Sequence, residues 1–205
     1  MVGDLVFYTS NRGKYQEARR LLKDRGFSVR WERRSFVEPQ ASTLETVVRA
    51  KLDQVVASPG GFALVEDSGL FIPALRGFPG VYSSYVLKTL GLEGVLRAVR
   101  GSARGASFIA VFGVKGHGEV RLCRGEVRGR LALAPRGMGG FGFDPIFMPA
   151  GDSRTFAQMG LEQKSHLSHR ARALREVVRA LEALGRGHRK EKRGGPLPGK
   201  GAGKG

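Results

Sequence analysis

The sequence predicts an α/β fold built on a mixed sheet, and three observations carry that reading. The first third alternates apolar strand-like runs with stretches of helical period, the middle holds closely spaced strands parted by glycines, and the end returns to a helical period. Residues 4–8 (DLVFY) are a short apolar run followed by the turn TSNRG, after which Tyr15, Ala18 and Leu22 recur at helical spacing to about Arg25. Residues 27–33 alternate as a strand, and 43–57 form a second helix through Leu44, Val47, Val48, Leu52, Val55 and Val56, with Thr43 placed to cap it. FALVE at 62–66 is the next strand, which completes a β-α-β-α-β rhythm and directs ligands to the carboxyl ends of the strands. Residues 85–99 predict a helix, then 106–114, 118–124 and 126–133 predict an antiparallel meander with glycine turns. Gly137, Gly139, Gly140 and Gly142 loosen the chain before FDPIFMP. A last helix starts near Ser168, shows Leu167, Ala171, Leu174, Val178 and Leu181 on one face, and ends at Gly185. Residues 1–185 thus read as one domain, large enough to bury a substantial core, and residues 186–205 as a disordered basic tail rich in Gly, Lys and Arg.

The chain carries 35 Lys and Arg against 18 Asp and Glu, a net charge of +17, of which the last twenty residues supply +6. A surface of that sign attracts polyanions, so nucleotides, RNA and anionic lipid are all compatible with it and none is singled out. No recognisable nucleic-acid-binding module lies in the body, and any contact with nucleic acid is expected through the tail. Cys123 stands alone in an alternating segment, cannot form an internal disulfide, and reads as a small core residue of a protein in a reducing interior. No run of about 18 apolar residues exists, and Asp4 interrupts the first apolar stretch with no basic flank before it. Neither a membrane span nor a signal peptide is expected, and the expected location is the cytoplasm.

Four segments can carry chemistry. TSNRGK at 9–14 lies between the first strand and the first helix, where backbone N–H groups, Gly13 and the mobile charge of Lys14 suit a phosphate; the same residues equally make a polar turn and helix cap. Glu66 and Asp67 end the strand at 62–66, and Glu38 follows the strand at 27–33, so two strands can deliver carboxylates to one sheet edge. Such oxygen ligands suit Mg²⁺, though all three also read as solvated loop acids. The run FAQMGLEQKSHLSHRARAL gathers Lys164, His166, His169 and Arg170, with His169 and Arg170 in the first turn of the last helix. A His-x-x-His pair without further ligands argues against zinc, and a plain basic helix face accounts for the run as well. Finally, Phe141 and Phe143 around Gly142, with Asp144 next, can form an aromatic wall and an acceptor for a nucleobase, or simply one face of a strand. Together the four make the inventory of a nucleotide-hydrolysing pocket.

In this arrangement the chain resembles the inosine triphosphate pyrophosphatase family, the Ham1-like pyrophosphatases of non-standard purine nucleoside triphosphates, in its archaeal form. The family's T-x-N-x-x-K opening is Thr9, Asn11 and Lys14; the glutamate of its P-E-x-Q loop is Glu38; its central acidic motif is EDSGL at 66–70, followed by GFPGVYS at 77–83. Its F-G-[FYW]-D-P element is Phe141 to Pro145, and its closing motif is FAQMGLEQKSHLSHR at 156–170. These ordered motifs run from about residue 4 to residue 184. The resemblance implies a two-lobed α/β fold around a long mixed sheet, with a cleft between the lobes, and a homodimer. It implies hydrolysis of ITP, dITP and XTP to the monophosphate and pyrophosphate with Mg²⁺. By position, Thr9, Ser10, Asn11, Arg12, Gly13 and Lys14 hold phosphates, Glu38 and Asp67 the metal, with Asp67 also the proton acceptor. Ser68 contacts substrate, and Phe141, Gly142, Phe143, Asp144, Lys164, His169 and Arg170 enclose the base and sugar. The competing expectation is a basic nucleotide- or RNA-binding protein without turnover.

The chain departs from the family pattern at a few positions. Ser10 replaces a usual glycine and, if that position needed φ > 0, would strain the phosphate loop; Pro39 removes an N–H beside Glu38; Gln158 and Gln163 replace acids. Glu66 is expected to face away from Asp67, by strand alternation, and only to tune its field; crowding by Glu66 and Glu38 is expected to raise the Asp67 pKa and Mg²⁺ to lower it, so that Asp67 chiefly holds the metal and orients a water, with proton abstraction secondary.

Overall fold

The computed structural model describes residues 4–193. The first third follows the expected rhythm: β1 (Leu5–Tyr8), α1 (Arg12–Lys23), β2 (Val29–Glu32), α2 (Leu44–Asp53) and β3 (Phe62–Phe71). Then come α3 (Ser83–Thr89), α4 (Gly91–Ala98), the long strands β4 (Gly105–Gly116) and β5 (Glu119–Leu131), β6 (Phe147–Pro149), α5 (Leu161–Leu167) and α6 (His169–Arg193). One six-stranded sheet has the order β2-β1-β3-β4-β5-β6. The pairs β1/β2 and β1/β3 are parallel, while β3/β4, β4/β5 and β5/β6 are antiparallel, so the sheet is mixed as the two halves of the sequence require.

Strand alternation sorts the core. Even-numbered residues of β3 face α1 and α6, where Phe62 and Leu64 join Ala18, Leu22, Ala173, Leu174, Val177 and Leu181. Odd-numbered Ala63 and Val65 face α2 and meet Val48 and Leu52. Farther along, Leu70 and Phe108 belong to a separate cluster with Val86, Val95, Phe143, Phe147 and Phe156. On this even-numbered face of β3 two of the three apolar clusters therefore follow one another, and between Leu64 and Leu70 the same face presents Glu66 and Ser68.

Several sequence expectations are corrected. Glu66 and Asp67 do not end a strand, because β3 continues to Phe71 in register with β4. What ends beside them is β1, whose pairing with β3 stops at Leu64. The strands expected at 118–124 and 126–133 are one strand. Gly125 marks no turn; α6 crosses there, and a Cβ on Gly125 would run into the backbone of His169 and Ala173. The helix expected at 85–99 is broken in two at Gly91, whose φ is +66°. Leu167 closes the separate short helix α5 instead of lying on α6, and Val177 is buried more deeply than Val178. Helix α6 also runs past Gly185 to Arg193, since the Arg, Lys and Glu of 186–193 are good helix formers and the first glycine pair comes only at 194. The expected tail beyond Arg193 lies outside the described residues. Cys123 is buried in the core as expected, and burial pushes its thiol up to about 11.

Candidate active site

Where β1 stops, the chain turns from Tyr8 through Thr9 and Ser10 into α1. Local hydrogen bonds set that turn: the Thr9 N–H donates to Glu32 O at 3.1 Å, the Asn11 N–H to the Thr9 hydroxyl at 3.2 Å, and the Asn11 side chain caps α1 by accepting from the Lys14 N–H at 3.1 Å. Ser10 is exposed, and Arg76 and His117 alone among the described non-glycine residues have positive φ; the serine therefore introduces no left-handed strain. The capped turn aims Lys14 across the end of β1 onto β3. Its ammonium lies 2.6 Å from Glu66 Oε2 and 3.9 Å from Asp67 Oδ1.

Asp67 faces α2. Lys51, in the apolar stripe of α2 beside Val47, Val48 and Leu52, extends its ammonium to 3.0 Å from Asp67 Oδ1 and 2.8 Å from Glu38 Oε1, and donates to Glu66 O at 3.3 Å. Glu38 and Asp67, expected to share an ion, thus share the Lys51 ammonium. Burial raises the Asp67 carboxyl above its ordinary value against the pull of Lys14 and Lys51; Glu66 adds to the rise, but desolvation, not the expected crowding of acids, is its main cause. Burial lowers Lys51, and Asp67 and Glu38 more than restore it, so it stays charged.

Glu66 lies on the opposite face of β3, as alternation demands, and does more than tune a field. Arg170, almost wholly buried at the start of α6, donates to Glu66 at 3.1 Å and to the Ser68 hydroxyl at 3.2 Å, and also binds Glu17. Glu17 in turn holds Lys164 at 2.6 Å, and Lys164 holds Asp144 at 2.6 Å. Burial raises the Glu66 carboxyl, but Lys14 and Arg170 reverse this and bring it to about 2. For Glu17, Arg170 and Lys164 likewise overcome the rise due to burial. This network fills the polar gap between the two apolar clusters.

At the other lobe, the segment expected as an aromatic wall is a turn and not a strand. Phe143 is buried in the second cluster, and Phe141 alone remains half-buried at the cleft, with the Lys164 ammonium 4.8 Å and the Arg170 guanidinium 5.3 Å from its ring centroid. Asp144 fixes the turn by accepting from the Phe141 N–H at 2.8 Å. His169 stacks on Phe108 with ring centroids 4.6 Å apart, and burial followed by the charge of Arg170 lowers its pKa well below the ordinary value, which keeps the imidazole neutral. The GFPGVYS segment closes the lip: Ser83 Oγ accepts from Leu70 N–H at 2.8 Å and donates to Gly80 O at 2.7 Å, and Gly69 lacks the Cβ that would collide with the Gly80 carbonyl.

These elements enclose a cleft of about 560 Å³, the size of a small-molecule site. Thr9, Ser10, Asn11, Lys14, Glu38, Asp67, Ser68, Phe141, Gly142, Phe143, Asp144, His169 and Arg170 line it. Arg12, Gly13 and Lys164 do not. Gly13 packs closely on Phe141: a Cβ there would stand 2.8 Å from the ring. Two residues escaped the sequence reading. Lys51 was signalled by a lysine in an apolar helical stripe, and Glu17 by a lone acid in an otherwise basic helix. The two glutamines that replace acids have structural partners: Gln158 accepts from the Thr155 N–H at 3.0 Å in a capping box, and Gln163 accepts from Arg154 at 3.0 Å.

The Ham1 family profile matches residues 5–180. A dITP/XTP pyrophosphatase of Thermococcus kodakarensis is 46% identical over 179 residues, covering 87% of this chain and 97% of that relative. One from Methanopyrus kandleri is 45% identical, covering 83% and 92%. Among solved structures, a HAM1 protein from Coxiella burnetii aligns with a TM-score of 0.74 at 30% identity, covering 87% of this chain and 99% of that one. The Staphylococcus aureus Ham1 protein aligns at 0.72 and 28%, covering 87% and 98%.

Proposed function

The chain belongs to the Ham1 family, and on that footing we propose that it hydrolyses non-standard purine nucleoside triphosphates (ITP, dITP and XTP) to the monophosphate and pyrophosphate, removing them from the nucleotide pool. The observation that carries this reading is one cleft in which Lys51 meets both Glu38 and Asp67, Lys14 meets Asp67, and Phe141, His169 and Arg170 form part of the same lining. The cleft thus combines cations and carboxylates for a triphosphate with an aromatic surface and polar groups for a base.

Glu38 and Asp67 fit a hard divalent cation. Both carboxylates already converge on one positive charge, and Mg²⁺ commonly takes one or two carboxylates with waters and phosphate oxygens. Bound by them, Mg²⁺ supplies fixed charge against the phosphates and against negative charge developing in the reaction. The chain's own residues do the rest. Thr9, Ser10 and Asn11 shape the phosphate end, and Lys14 draws the triphosphate to it. Water forms a bond to the α-phosphorus as that phosphorus loses its bond to the bridging oxygen, and pyrophosphate leaves with the electron pair. Asp67 chiefly orients the water and secondarily takes its proton; burial raises its carboxyl, and a bound divalent cation would lower it again.

Base selection follows from the His169 and Arg170 side chains in the cleft lining. The Nδ1 of neutral His169 and the Nε of Arg170 are buried with no hydrogen-bond partner among the described residues. A donor N–H that meets the base in this cleft pairs with a 6-oxo purine and is left unpaired by a 6-amino one. A homodimer and a cytoplasmic location complete the proposal; the exposed Phe78, Tyr82 and Tyr85 on one short stretch offer an apolar surface to a second copy. No described helix is long and apolar enough to cross a membrane. Incubation with ITP and Mg²⁺ tests the activity: IMP plus pyrophosphate supports it, IDP plus orthophosphate contradicts it, and no reaction leaves a nucleotide- or RNA-binding protein.

A further inference from the structure

Lys51 occupies the point on which Glu38 and Asp67 converge, and that has a consequence for metal binding. Its ammonium sits 2.8 Å from one carboxylate and 3.0 Å from the other, is anchored by the Glu66 carbonyl at 3.3 Å, and has almost no exposure. An ammonium and a divalent cation cannot share that point. Mg²⁺ needs its oxygens at about 2.0–2.1 Å, inside the ammonium's own contact distance, and two positive centres that close in a poorly solvated site repel strongly. The lysine stem rises from the buried stripe of α2, so its head has four rotatable carbons of reach into the adjoining cleft. What could draw it there is an anion of high charge density, and the cleft is proposed to receive a triphosphate.

We propose that Lys51 is an internal counter-ion that closes the Glu38–Asp67 metal position until the triphosphate of an arriving nucleotide draws its ammonium away. Resting on the assignment of Glu38 and Asp67 as the metal ligands, this makes Lys51 a positioning residue that couples two binding events. Nucleotide frees the carboxylates for the metal, and metal frees Lys51 for the phosphates, so each strengthens the other's binding by the same factor. Without nucleotide, the closed site spares Asp67 and Glu38 the mutual repulsion of two unpaired carboxylates, one of them buried, and resists adventitious cations.

The test is Mn²⁺ binding to nucleotide-free protein, followed by the electron paramagnetic resonance of free Mn²⁺, for wild type, Lys51→Met, Lys51→Arg, Asp67→Asn and the Lys51→Met/Asp67→Asn double variant. Removing the counter-ion should tighten Mn²⁺ binding by about tenfold or more in Lys51→Met, leave Lys51→Arg weak like wild type, and the gain should vanish in the double variant. A lysine with a merely structural role would give equal or weaker binding on removal, and that result in a normally folded Lys51→Met overturns the proposal. If Asp67→Asn leaves Mn²⁺ binding unchanged in both backgrounds, the metal assignment fails and the proposal falls with it. Should Lys51→Met not fold, the wild type itself decides: the ¹⁵N-detected ammonium signal of Lys51 should shift on Mg²⁺ saturation, and a signal unmoved at saturation refutes the displacement.

Discussion

Glu17→Gln is the substitution that most directly tests the buried network holding the two lobes together. Glu17 projects from the second turn of α1, binds Arg170 through Oε2, and accepts from Lys164 at 2.6 Å through Oε1. Glutamine keeps the shape and one acceptor but turns an NH₂ toward one of the two cations. One charge-assisted hydrogen bond is lost and one donor faces a donor; at about 1.5–3 kcal/mol for a hydrogen bond to a charged group plus a desolvation penalty of similar size, the cost would reach about 3–6 kcal/mol. Compensation reduces it, because Lys164 keeps Asp144 and Arg170 keeps Glu66 and Ser68. The net loss should therefore be about 2–4 kcal/mol, or roughly 5–15 °C in Tm for a chain of this length. Urea and thermal unfolding followed by circular dichroism measure it. KM for dITP should rise as well, since Lys164 and Arg170 frame Phe141. A loss under about 0.5 kcal/mol with unchanged KM would show that the network neither holds the lobes nor positions the site.

Asp67→Asn should lower kcat by about 10² or more at saturating Mg²⁺, because it removes the proton acceptor and one carboxylate of the metal pair; near-normal turnover would sink both roles. Glu66 sets an acid limit on stability. Its pKa falls from 4.5 to about 2 in the folded protein, so its contribution is complete above about pH 4.5 and is lost as pH falls toward 2, the unfolded chain taking up the proton first. At about 1.4 kcal/mol per unit the window holds about 3 kcal/mol, which urea titrations at pH 5 and pH 3 should resolve, and Glu66→Gln should flatten that part of the profile. Gly13→Ala puts a methyl 2.8 Å from Phe141 and 3.2 Å from Asn11 Oδ1, pushing the ring and the cap of α1. KM for dITP should rise several-fold with kcat little changed; an unchanged KM would remove Phe141 from the base site.

The strand and helix rhythm of the first third and the mixed sheet were legible in the sequence from local signals: apolar periodicity, an Asn cap and glycine turns. Half of the residues that line the cleft were named through the ordered family motifs. The extent of β3 and β5 was not legible, because continuation through EDSG and past Gly125 depends on partner strands and on where α6 crosses. The separation of Glu66 from Asp67 needed alternation alone, whereas the partners they meet there needed the fold. Lys14 reaches both from α1, Arg170 and, through it, Glu17 come to Glu66, and Lys51 and Glu38 come to Asp67 from α2 and the loop before it.

By itself the sequence determined the α/β class, the ordered motifs, and the kinds of groups available for a phosphate, a cation and a base. Only the tertiary structure decided which charges pair. Ion pairing depends on distance and desolvation, and those exist only once helices α1, α2 and α6, separated along the chain by up to about 150 residues, are packed on the same sheet. Lys51 shows the difference most clearly: in the sequence it is a lysine within an apolar helical stripe, and only the fold brings its ammonium to the two carboxylates of the proposed metal site.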